Sequence, residues 1–277
     1  MKTTLTPYLK AFFAFFIIAI SSCESDVDPV APEPNLSLVD DDYLISRAFE
    51  DLDNVTLTVL NTSGLGLRAS QNIPASELCA TAKITLDKTA KNIVVDFGAG
   101  CTSSTGITRK GKVLLSYSDR FILPGSKVIT TFDNYYVNGN KIEGKRTITN
   151  AGLNLFGGTI SLVVKIENGK VIWPDNTFVT VASDQTREVK LGSDGYEASI
   201  LGNAKGKSRE GIDYTSEVMN ALIVTKSCVE SGVWVPSKGV LKFNFEGIDV
   251  TVDYGAGTCD KAVTIDYPGG SKEVILD

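Results

Sequence analysis

Asp96 and Asp253 sit in nearly identical company, within Ile93-Val-Val-Asp-Phe-Gly-Ala-Gly-Cys101 and Val250-Thr-Val-Asp-Tyr-Gly-Ala-Gly-Thr-Cys259. Two carboxylates in matching contexts could serve as an acid–base pair or offer oxygen ligands to calcium. An aspartate just before a glycine-rich bend also accepts backbone N–H bonds there, and this turn-capping role is the expected one. Loops rich in Asp, Asn and Gly recur, but none has EF-hand spacing; the cofactor expectation is none, with calcium the one ion worth testing. The chain contains no histidine. That removes His-assisted Ser or Cys nucleophiles, imidazole bases and His-ligated metals, leaving carboxylate, Lys, Tyr or Ser–Lys chemistry.

A cysteine closes each copy of the repeat, Cys101 and Cys259, and another precedes each copy, Cys79 and Cys228. In an exported protein an even set reads as disulfides, and the bracketing predicts Cys79–Cys101 and Cys228–Cys259; pairing across the copies is the alternative. Tyr135, Tyr136, Trp173 and Trp234, with Tyr117 and Tyr214, could form a stacking surface for sugar or peptide, although strand aromatics more often pack across strands. Gly202–Gly211 contains Gly206-Lys207-Ser208 but lacks the spacing of a phosphate-binding loop, and reads as a hairpin tip.

The elements that must position these residues are strands. Ile160, Leu162, Val164 and Ile166 alternate with polar neighbours, as do Leu241, Phe243 and Phe245 before a Glu246-Gly247 turn. From Val55 onward the period is two, with Asn138-Gly139, Asn168-Gly169 and Asp194-Gly195 as further turns. The expected fold is all-β: an antiparallel meander forming a sandwich or a long curved sheet, with two disulfides and one short N-terminal helix over Asp40–Leu52. The β-rich domain spans 40–277, in two pseudo-repeat halves at about 55–167 and 170–277.

Residues 1–22 have the character of an export signal: Lys2 and Lys10, then the apolar run Ala11–Ile20, too short to span a bilayer. The run ends Ile20-Ser21-Ser22-Cys23, which resembles the lipobox of bacterial lipoproteins. That resemblance implies that Cys23 becomes the lipidated N-terminus. Residues 23–39 are acidic and Pro-rich and are expected to form an extended tether. Together these features resemble the surface lipoproteins of Gram-negative bacteria, implying outer-membrane anchoring and display toward the cell exterior. With Lys2 and Lys10 removed, 25 basic residues face 33 acidic ones, a net charge of −8, which disfavours nucleic acid as a partner.

Three functions fit. The first is a lipid-anchored envelope protein that binds a glycan or protein partner or has a structural role, without catalysis. The second is a glycan hydrolase using two carboxylates across a groove. The third is a carrier of a lipophilic ligand inside a curved sheet.

Overall fold

The computed structural model describes residues 33–66, 78–104, 106–192 and 195–276. The expected signal segment, Cys23 and most of the tether lie outside these residues, as does Asp194.

A helix, α1 (Ser37–Thr62), is followed by β1 (Lys83–Asp87), β2 (Asn92–Asp96), β3 (Cys101–Thr102), β4 (Thr108–Tyr117), β5 (Lys127–Val137), β6 (Asn140–Asn154) and β7 (Thr159–Ile172). Then come β8 (Phe178–Gly192), β9 (Gly195–Lys207), β10 (Asp213–Thr225), the single-turn helix α2 (Lys226–Glu230), β11 (Lys238–Phe245), β12 (Ile248–Ala256), β13 (Ala262–Tyr267) and β14 (Gly270–Ile275). Among the described residues the 14 strands form one antiparallel sheet, ordered as in the sequence except that the short β3 pairs beside β2 on β4. Of the two architectures expected, the structure is the long curved sheet. Both expected disulfides are present, Cys79–Cys101 and Cys228–Cys259.

The sheet curves around α1. Leu38, Val39 and Tyr43 pack with inward residues of β9 to β14, whereas Ile45, Phe49, Leu52, Val55 and Val59 pack with β2 to β8. A helix so enclosed is buried on most of its circumference, and three buried aspartates, with the partly buried Asp53, lie among its apolar residues. Each finds a partner on a strand of the sheet or on a turn between strands. Asp41 accepts from the Arg209 backbone N–H and Asp42 from the Tyr214 hydroxyl. Asp51 accepts from Arg109 Nε and Nη2 at 3.0 and 2.5 Å, and Asp53 from Arg146. These pairs fix how far along, and at what rotation, the helix lies in the sheet.

Several expectations need correction. The helix is twice as long as expected and begins at Ser37, so the tether stops short of residue 39; Leu38 and Val39 are buried, 2 % and 3 % exposed. Val55-Thr-Leu-Thr-Val-Leu60 continues the helix because Leu52, Val55 and Val59 recur at helical spacing, and burial against the sheet outweighs β-branched propensity. The expected first half, starting near residue 55, therefore begins inside a helix. Asn168-Gly169 is no turn: β7 runs through it as a bulge, with Asn168 at φ +52° and a register shift between Ile166 and Gly169.

The strand order defines two ends. At the upper end lie the turns 138–139, 173–177, 208–212 and 246–247; at the lower end lie the loops 118–126 and 155–158, the end of β8 at Gly192, the start of β9 at Gly195, and α2.

Candidate functional site

The β8 residues facing α1 show how the site arises. Alternation puts Val179, Val181, Ser183, Gln185, Arg187, Val189 and Leu191 on one face, an apolar–polar–apolar sequence from the upper end to the lower. On neighbouring β9 the corresponding row contains Gly202 and Ala204, too small to fill the space opposite the polar segment. The result is a groove between α1 and the concave face of β6 to β12, in two adjacent parts whose linings share Glu50, Arg187, Ile200 and Trp234.

The lower part has a volume of about 200 Å³ and is mostly aliphatic. Ile160, Leu162, Val189 and Ala198 supply its floor, with Leu57, Phe121 and Trp234 around them. The upper part is about 80 Å³ and of mixed character: Asp42, Ser46, Ser183 and Gln185 line it among Phe49, Ile166, Val181 and Leu241. Ser183 is 7 % exposed and its Oγ has no hydrogen-bond partner. Such a buried hydroxyl is costly unless something polar enters the chamber beside it.

Glu50 and Arg187 border both parts. Arg187 Nη1 lies 3.2 Å from Asp53 Oδ2, its Nη2 lies 3.7 Å from Glu50 Oε1, and its Nε and Nη2 donate to Gln185 Oε1. Arg146 grips the other side of Asp53. Burial pushes the Glu50 carboxyl above its ordinary pKa, with Asp53 adding to the rise and Arg187 and Arg146 opposing it. Burial likewise lowers Arg146. Deeper in the chamber, burial pushes Asp42 up to about 7 against the hydrogen bond from Tyr214.

The residues marked in the sequence are not assembled here. Asp96 and Asp253 each accept the backbone N–H two residues on, Gly98 and Gly255, at 2.8 Å. They lie on opposite flanks and toward opposite ends of the sheet, so no carboxylate pair forms between them. Among the described residues, no group of three or more Asp, Glu, Cys or His side chains is placed to hold a metal ion.

The aromatics are likewise dispersed. Tyr135 is fully buried against Phe97 and Phe132, while Tyr136 lies beneath Lys110 and Trp173 beneath Arg209 at the upper end. Of the four, Trp234 alone lines the groove. Gly202–Lys207 belongs to β9, and Ser208–Gly211 makes the turn after it.

Glu50, Asp53, Arg146 and Arg187 did not emerge from motif spacing. The usable signal was Arg146 in the same inward row as Ile142 and Ile148, where a lone strand would bury a charge. Compared with protein-family models, curated protein sequences and solved structures, the chain matches none of them.

Proposed function

We propose that this is a non-enzymatic, lipid-anchored envelope protein whose groove holds a single-chain amphiphile, with the hydrocarbon in the lower part and the polar end in the upper chamber. The observation that carries the reading is that an apolar cavity and a smaller, mixed one holding the unpartnered Ser183 hydroxyl lie side by side, with Glu50, Arg187, Ile200 and Trp234 lining both. A dry engineered cavity of about 150 Å³ takes benzene, so a lower part of about 200 Å³ suits part of one acyl chain and not a two-chain lipid. Cys23 and the acidic segment after it supply the anchor and tether in this reading.

A two-carboxylate hydrolase needs its acid and its partner on opposite sides of the scissile bond. Glu50 and Asp53 lie three residues apart on one helix, and Asp53 is engaged by two guanidinium groups. The arrangement favours holding a ligand over cleaving one.

The test is titration of the purified chain with cis-parinaric acid, a fatty acid that fluoresces when shielded from water. Saturable binding to one site supports the reading. Absence of binding, or an unsaturable rise, refutes it.

A further inference from the structure

Phe156 and Leu155 form the tip of the β6–β7 hairpin and are 106 % and 78 % exposed. Two neighbouring segments carry further exposed apolar side chains, Leu123 in the loop after β4 and Leu191 at the end of β8. Backbone bonds tie these segments to the hairpin: Gly125 N–H donates to the Asn150 carbonyl of β6, and Leu191 N–H of β8 to the Gly158 carbonyl. All lie at the lower end, where the aliphatic part of the groove is found and where Leu191 is both lining and rim.

We infer that this lower tip docks into the hydrocarbon of a lipid bilayer, so that an acyl chain passes between membrane and groove. The inference rests on the groove holding such a chain. Two features select a bilayer as the occupant. From Thr147 to Val164 the hairpin contains no charged residue, although charged residues make up 22 % of the chain. A charge entering hydrocarbon is penalised, whereas a protein interface is ringed with polar and charged groups. The second feature is the ligand itself: a long-chain amphiphile is held by membranes and scarcely exists free in water, so its receptor must collect it at a surface. Residues 33–37, where the chain enters the folded unit, lie at the other end, with Asn35 and Ser37 bonded to Glu210 in the upper 208–212 turn. The tip is thus directed away from the point where a tether would join.

The test uses the full-length chain with Phe156→Trp, and separately with Leu201→Trp on the middle of β9, in vesicles of phosphatidylcholine with brominated acyl chains. Because both variants share any contribution from the N-terminal segment, only indole position differs. Quenching of the Phe156→Trp emission without quenching at Leu201→Trp is the expected result. Equal quenching, or none, overturns the inference. So does a concentration-dependent shift without vesicles and no quenching with them, which would mark a contact between copies. In Leu155→Asp/Phe156→Asp, parinarate binding in solution should persist while transfer from vesicles slows roughly tenfold or more, given the apolar surface withdrawn. If parinarate never binds but Phe156→Trp is still quenched, the groove reading fails and tip docking stands.

Discussion

Arg146 donates through Nε and Nη2 to both carboxylate oxygens of Asp53, at 2.7 and 2.6 Å, bolting the middle of α1 to the centre of the sheet. The arginine side chain is almost wholly buried, and Asp53 also neutralises Arg187 at the edge of the groove. Removing one partner leaves an uncompensated charge. Asp53→Leu and Arg146→Leu should therefore each destabilise by about 3–5 kcal/mol, while the double variant loses less than the sum. Urea denaturation of the four proteins measures this, and strictly additive losses would show that the two side chains do not act as a pair.

Asp42 predicts a pH dependence of definite sign. Its folded pKa of about 7 lies above the ordinary 3.8, so the folded state binds this proton more tightly than the unfolded one. Its stabilising effect is complete at low pH and is lost as pH rises from about 4 to 7. Asp42→Asn, which mimics the protonated form, should gain on the wild type by about 1.4 kcal/mol per pH unit across that window and then level off. Thermal melts from pH 3 to 8 would show the gap; a gap independent of pH would contradict the assignment.

Gly111 has φ +81°, and an added Cβ would lie 1.9 Å from the Asn134 carbonyl oxygen in the bulge of the facing strand. Gly98 also has positive φ, +60°, but open space around it. Gly98→Ala should cost about 1–2 kcal/mol from backbone strain alone, and Gly111→Ala clearly more, because backbone must also move. Equal losses would mean that the bulge yields freely.

Much of this architecture is legible in the residues. Alternation locates strands, since Ile160 to Ile166 fall within β7 and Leu241 to Phe245 within β11, and each cysteine pair brackets its copy of the repeat. Local pattern fails where distant packing decides. Val55–Leu60 has the composition of a strand and becomes helix because a sheet closes over it. Asn168-Gly169 has the chemistry of a turn and becomes a bulge because both flanking segments pair with the same two neighbours. The groove is hidden more deeply, since its lining comes from seven strands, both helices, Phe121 and the segment after α2. The inward row of β8, with polar Ser183, Gln185 and Arg187 between valines, carried the trace of it.

Each disulfide holds a segment against the sheet, closing sequence separations of 22 and 31 residues. Loops of that size give each about 3–4 kcal/mol of stabilisation on the chain-entropy view. Cys79→Ala/Cys101→Ala and Cys228→Ala/Cys259→Ala should lower the urea midpoint independently, because the first lies at the upper end and the second at the lower. A strongly non-additive loss in the fourfold variant would show that the two flanks of the sheet unfold as coupled parts.

The most direct test of the central claim asks where the hydrocarbon sits. Ala198 is on the floor of the lower cavity, and Ala198→Trp would fill that space with an indole. Comparing cis-parinaric acid titrations of this variant and the wild type, with denaturation to confirm that the variant is folded, locates the site. Affinity should fall at least tenfold, the loss expected when about 1.4 kcal/mol or more of chain burial is excluded. Undiminished affinity in a folded Ala198→Trp protein would place the ligand elsewhere and contradict the account.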